Sequence, residues 1–173
     1  PAVPTVASTT QPTCAVGTGT IVFTAQAGVE YSVNNGTTYQ ALPSFAGLAP
    51  GTYSLRVRSI ADNTCSTPAA STVTINAVPT APSVPTVAST VQPTCAVPTG
   101  TITFTAQAGV EYSVGSGFQA SPIFANLAPG TYTLTVRSIA DNTCSTVAAS
   151  TVTIDAVPTA PAAPVASVTV QPT

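Results

Sequence analysis

The sequence predicts an all-β chain: two tandem antiparallel β-sandwich domains joined by a proline-rich linker. Three observations carry that expectation: an internal repeat of about 80 residues, an apolar period of two within each repeat, and a turn signal between successive apolar runs. The chain has 173 residues, is 44% hydrophobic and only 5% charged, where an ordinary soluble domain carries about 25% charged residues. Thr alone makes up about a fifth of it, and His, Met, Trp and Lys are absent.

The repeat sets the organisation. Gln11-Pro12-Thr13-Cys14 recurs as Gln92-Pro93-Thr94-Cys95, and Asp62-Asn63-Thr64-Cys65 recurs as Asp141-Asn142-Thr143-Cys144. The first pair is offset by 81 residues and the second by 79. The two residues are lost where Asn34-Asn35-Gly36-Thr37-Thr38-Tyr39 shortens to Gly115-Ser116-Gly117-Phe118, as a hairpin loop can. A third copy opens at Gln171-Pro172-Thr173. The expected boundaries are therefore a first repeat at 1–78, a linker at 79–85, a second repeat at 86–157, a linker at 158–164 and the start of a third repeat at 165–173. Such a chain reads as a piece of a longer array. Proline at every third residue of both linkers suits a stiff, extended polyproline II segment, although an ordinary linker or the start of an edge strand would read the same way.

Each element follows from alternation. In the first repeat, residues 6–13 form a candidate strand. Ile21, Phe23 and Ala25 then alternate with Thr20, Val22 and Thr24, and Val29, Tyr31 and Val33 alternate with Glu30 and Ser32. Shorter candidates lie at 38–41 and 44–46. Tyr53, Leu55 and Val57 follow an Ala-Pro-Gly turn and read as one strand, and Val73 with Ile75 closes the repeat. The second repeat matches with Ile102/Phe104/Ala106, Val110/Tyr112/Val114, Tyr132/Leu134/Val136 and Val152/Ile154. The result is about seven short strands per repeat, which pack naturally as a sandwich. Asn35-Gly36 predicts a type I′ turn, which requires positive φ at both central residues. Leu48-Ala49-Pro50-Gly51-Thr52-Tyr53, repeated at 127–132, looks like the corner of an immunoglobulin-like strand, where a Tyr hydroxyl ties back to the backbone.

Taken in order, Gln-Pro-Thr-Cys, Thr-Gly-Thr-Ile, Tyr-Ser-Val, Leu-Ala-Pro-Gly-Thr-Tyr-x-Leu-x-Val-Arg and a final Cys resemble the tandem immunoglobulin-like repeats of giant Bacteroidota surface adhesins. Members of that group are exported by the type IX secretion system and form extracellular stalks. The resemblance spans both repeats. It implies two immunoglobulin-like domains and a location at the bacterial cell surface. The chain departs at the approach to the second Cys, which reads Asp-Asn-Thr-Cys rather than Asp-x-x-Gly-Cys.

The four cysteines Cys14, Cys65, Cys95 and Cys144 occupy matching places, two per repeat, and suggest one staple per domain: Cys14–Cys65 and Cys95–Cys144. A Cys65–Cys95 bridge across the linker is the alternative. Without His or a Cys-x-x-Cys pair, zinc is not expected. Disulfides imply an oxidising compartment and hence export.

The charged residues recur too: Glu30/Glu111, Arg58/Arg137 and Asp62/Asp141. They read as structural Arg–carboxylate pairs, because neither a paired acid and base nor the oxygen-rich cluster that calcium needs is visible in their spacing. The Asn35-Gly36-Thr37 sequon is read as a turn, and the Thr-x-Thr runs as strand-compatible filling of outward positions. Three Arg and a net charge of -2 exclude phosphate neutralisation and hence nucleic-acid binding. No apolar run approaches the ~20 residues of a spanning helix. No cofactor and no catalysis are expected.

The leading functional expectation is a structural spacer repeat of a long extracellular adhesin or surface fibre, holding a distal tip away from the cell. Identical chains packed laterally are the expected partners. The alternative is a glycan- or cell-binding immunoglobulin-like module acting through end loops such as residues 34–39, with glycans or another cell's surface as partners.

Overall fold

The computed structural model describes residues 1–165; the third-repeat motif at 171–173 lies outside them. The described chain is all-β and consists of several small antiparallel sheets. The first repeat supplies β1 (Val6–Thr10), β2 (Gly19–Phe23), β3 (Val29–Ser32), β4 (Ser44–Leu48), β5 (Gly51–Tyr53), β6 (Arg56–Ser59), β7 (Ser66–Pro68) and β8 (Val73–Ile75). The second supplies β9 (Val87–Val91), β10 (Gly100–Phe104), β11 (Val110–Ser113), β12 (Ile123–Leu127), β13 (Gly130–Tyr132), β14 (Thr135–Ser138), β15 (Ser145–Val147) and β16 (Val152–Ile154). Sheet order runs β1-β2-β4, β3-β6-β7 and β5-β8, and the same pattern returns as β9-β10-β12, β11-β14-β15 and β13-β16.

The alternation read from sequence places the core. Ile21, Phe23, Val29, Tyr31, Val33, Leu55, Val57 and Ile75 form one buried apolar cluster. Ile102, Phe104, Val110, Tyr112, Val114, Phe124, Leu134, Val136 and Ile154 form the other. Each cluster takes residues from more than one sheet, which is how strands with a single apolar face bury it. Phe23 sits between the rings of Tyr31 and Phe45, with centroids at 5.0 and 5.6 Å, the tilted spacing that aromatic pairs favour. Phe104 repeats the arrangement with Tyr112 and Phe124.

Two expectations about strands change. The stretch at 53–57 is not one strand: β5 pairs with β8, whereas β6 pairs with β3 and β7. The chain leaves one sheet and joins another at Ser54-Leu55, and Leu55 remains buried through the crossing. The candidate at 38–41 reduces to an isolated bridge between Tyr31 and Gln40. The edge strands β7 and β15 were not legible, since Ser, Thr and a flanking Cys carry no alternation. The Asn35-Gly36 turn forms as expected, with φ of 56° and 87°, and the Thr37 N–H donates to the Asn34 carbonyl at 3.2 Å.

Two compact units partition the chain. Among the described residues, one comprises Pro1–Pro82 together with Arg137–Ser145, and the other comprises Ser83–Val136 with residues 146–165. The segment Arg137–Ser145 belongs by sequence to the second repeat but by contact to the first unit. The cysteines explain that assignment.

Candidate functional site

Gln-Pro-Thr-Cys builds a rigid presentation of its cysteine. Pro12 interrupts the ladder because it has no N–H to donate, and the Gln11 side chain substitutes for a strand. Its Nε2 donates to the Thr74 carbonyl at 3.1 Å, and its Oε1 accepts the Asn76 N–H at 2.8 Å. Thr13 then closes a tight loop: its N–H donates to the Val16 carbonyl at 2.9 Å, and its Oγ1 accepts the Val16 N–H at 3.1 Å. Cys14 Sγ is left 3.2 Å from the carbonyl of Pro79. The second repeat reproduces each contact: Gln92 with Thr153 and Asp155, Thr94 with Val97, and Cys95 donating its thiol to the Pro158 carbonyl at 3.1 Å.

Asp-Asn-Thr-Cys builds the other half. Asp141 Oδ1 accepts the Thr143 N–H at 2.9 Å and the Thr143 hydroxyl at 2.7 Å, the self-capping habit of Asp in a turn. The Cys144 N–H donates to the Asp141 carbonyl at 2.9 Å, and the Ser138 N–H donates to the Cys144 carbonyl at 2.8 Å. The loop at 62–65 has the same bonds: Thr64 to Asp62 at 2.9 and 2.6 Å, Cys65 N–H to Asp62 at 3.0 Å and Ser59 N–H to Cys65 at 2.9 Å.

The halves meet in an unexpected combination. The disulfide joins Cys14 to Cys144, with Cα atoms 5.0 Å apart, within the span a disulfide needs. Cys65 and Cys95 are free and exposed. The expected staples Cys14–Cys65 and Cys95–Cys144 are therefore not the bonds formed, nor is the alternative Cys65–Cys95. Cys144 is 1% exposed, and the contact is more than covalent. The Cys14 N–H donates to Asp141 Oδ2 at 3.0 Å, and the Ala15 N–H donates to Thr143 Oγ1 at 3.3 Å. Asp141 thus fixes its own loop through one oxygen and receives the incoming backbone through the other. Its carboxyl is held below the ordinary 3.8, first by the Thr143 hydroxyl and then by the Thr143 N–H; partial burial opposes this and the Cys14 N–H adds to it. Asp62 is likewise lowered, first by the Thr64 hydroxyl, then by the Thr64 N–H and the Cys65 thiol.

Cys14, Cys144 and Asp141 also form the one close group of three metal-ligating side chains among the described residues. With both sulfurs bonded to each other, only the carboxylate could serve as a ligand, well short of a coordination sphere.

Of the remaining charged candidates, Arg58 and Glu30 form an ion pair. Arg58 Nη2 lies 2.7 Å from Glu30 Oε2, its Nε donates to the same oxygen, and its guanidinium stacks 4.1 Å over the Tyr39 ring. Asp62 takes no part in that pair, because its oxygens serve its own turn. Tyr53 Oη donates to the Ala49 carbonyl at 2.7 Å, and Tyr132 Oη donates to Ala128 at 2.7 Å, the corner tie expected from sequence. A second tie was missed. Tyr31 Oη accepts the Gln26 N–H at 2.7 Å and donates to the Gln26 carbonyl at 3.1 Å, and Tyr112 does the same with Gln107. The shared Gln-Ala-Gly-Val-Glu-Tyr spacing was its signal. An open apolar groove of about 400 Å³ in the first unit is lined by Val3, Pro4, Val6, Leu55 and Val73, with only hydroxyls at its polar positions.

No helix among the described residues is long and apolar enough to cross a membrane. No protein-family model matches the chain, and no curated protein matches it either.

Proposed function

We propose that the chain is a pair of immunoglobulin-like spacer repeats from a long extracellular adhesin or surface fibre, similar to those of Bacteroidota surface proteins. The observation that carries this reading is the duplication itself. Strand order, core, both tyrosine ties and both cysteine-bearing turns recur, while the one change in length lies in the loop at 34–39 and its shorter counterpart. A module selected to hold a length repeats its framework; a module selected to recognise a ligand elaborates its loops. The disulfide indicates a non-reducing compartment, which fits the cell surface. The chain is not an enzyme in this reading.

The decisive experiment is a glycan array probed with the whole 173-residue chain. A spacer gives no saturable signal on any sugar. Saturable binding abolished by replacing residues 34–39 would instead establish the binding module. Lateral packing of identical chains belongs to the same proposal, supported by a surface with three Arg and five carboxylates to repel a neighbour. Imaging of the native fibre tests it, and a width of one chain would overturn it.

A further inference from the structure

Cys14 and Cys144 are joined across a register of one repeat: the first cysteine of one repeat bonds to the second cysteine of the next. Each bonded cysteine has an unbonded twin. Cys95 stands in the second repeat's counterpart of the turn that presents Cys14, with an equivalent Gln anchor, Thr closure and linker-proline carbonyl beside its sulfur. Cys65 stands in the first repeat's counterpart of the turn that presents Cys144, with equivalent Asp–Thr bonds and its thiol donating to Asp62 Oδ2 at 3.5 Å, where Cys144 Sγ lies 3.4 Å from Asp141. Both twins are exposed. Among the described residues the N–H groups of Cys95 and Ala96 carry no hydrogen bond, whereas their counterparts on Cys14 and Ala15 bond Asp141 and Thr143.

We propose that Cys95 and Cys65 are the two open halves of the same cross-link. Cys95 receives the cysteine of a further Asp-Asn-Thr-Cys loop, and Cys65 offers such a loop to a further Gln-Pro-Thr-Cys turn. The loop and the turn come from a second copy of this chain or from another repeat continuous with it; the chemistry is shared. The incoming Asp accepts the Cys95 N–H and the incoming Thr hydroxyl accepts the Ala96 N–H, as Asp141 and Thr143 do at the closed site. These neutral and charge-assisted bonds select the correct cysteine before the sulfur chemistry begins.

The chemistry requires an oxidant, and a small-molecule disulfide such as oxidised glutathione supplies it. The Cys95 thiol gives up its proton, and its thiolate attacks that disulfide, forming a mixed disulfide and releasing one glutathione thiolate. The thiolate of the incoming loop then displaces the second glutathione. Two thiols lose two protons and two electrons, and one glutathione disulfide becomes two thiols.

This inference does not rest on the spacer reading, and a null glycan array leaves it intact. Its test uses the whole chain in a glutathione redox buffer, read by non-reducing electrophoresis and by mass spectrometry of the linked peptides. The wild-type chain forms a reducible series of oligomers. The single variants C65S and C95S each stay monomeric, and an equal mixture of the two forms a dimer linked from Cys95 of one copy to Cys65 of the other. In a second arm, residues 86–164 are appended again after Pro164, and Cys95 bonds within that longer chain to the appended copy's second cysteine. Dimer in the mixture supports a second copy as the neighbour. Closure only within the extended chain supports the next repeat. Dimers of either single variant forming as readily as in the mixture would overturn the proposal, as would a Cys65–Cys95 bond within one chain or free Cys95 in both arms.

Discussion

Asp141 works with both oxygens at once, and that makes the cross-link site acid-sensitive. Its carboxyl is lowered from 3.8 by the bonds from Thr143 and Cys14, and Asp62 is lowered by Thr64 and Cys65. A group whose folded value lies below its unfolded value stabilises the fold above the unfolded value, and that contribution disappears as pH falls through the folded one. Stability therefore declines on the acid side of 3.8. The variant carrying Asp62→Asn and Asp141→Asn has a flatter profile over that range in chemical denaturation run from pH 5 downward. An identical slope in the variant and the parent would assign the acid sensitivity elsewhere. The tyrosine ties act on the same scale. Tyr53→Phe removes one hydrogen bond at an exposed corner and costs about 1 kcal/mol. Tyr31→Phe leaves a part-buried Gln26 N–H unpaired and costs about 1–3 kcal/mol, so denaturant midpoints rank Tyr31→Phe below Tyr53→Phe.

Among the elements, β2 and β10 are the most closely confined. A Cβ built on Gly19 would lie 2.7 Å from the Thr10 carbonyl oxygen and 2.8 Å from Ile75, and Gly100 meets Val91 and Ile154 at the same distances. A backbone oxygen cannot swing aside, so Gly19→Ala and Gly100→Ala each cost about 1–3 kcal/mol of overpacking strain. Equal losses at the two sites in denaturant unfolding would match the equal geometry. At this scale much of the fold was legible. Strict alternation around Ile21, Phe23, Val29 and Tyr31 identifies the buried faces, because strand side chains switch faces at every residue. The change of sheet at Ser54-Leu55 was not legible, since Tyr53, Leu55 and Val57 keep their period while the hydrogen-bond partners change. Alternation reports which side of a strand is apolar, not which neighbour it pairs with.

Across the whole molecule, the cysteine pairing shows where a repeat misleads. In a tandem array every motif recurs at nearly the same spacing, so a matched pair within one repeat and a pair one repeat apart have the same local sequence. Only the contact around Asp141 and Thr143 separates them. The bond closes a loop of 130 residues, and in the chain-entropy picture such a loop restricts the unfolded state by about 5 kcal/mol. Cys14→Ser should lower the guanidinium midpoint of the whole chain, whereas Cys65→Ser should leave it unchanged. Loss of stability in Cys65→Ser would mean that the first repeat carries its own staple.

The position of that bond also decides what a pull on the chain would meet. Tension entering ahead of Cys14 passes through the two sulfurs to Cys144 and leaves toward the second linker. The loop between them, with the first apolar cluster and all of the second but Ile154, stands outside the path of the load. An oxidised chain stretched from its ends yields its outer segments, which carry β1, β15 and β16 with Ile154, while the strands between the two cysteines bear none of the load. A reductant removes the bypass and releases a further contour of roughly 450 Å at about 3.5 Å per residue, along which the clusters unfold. Redox state, rather than the depth of either core, sets whether this chain behaves as a short strap or a long tether.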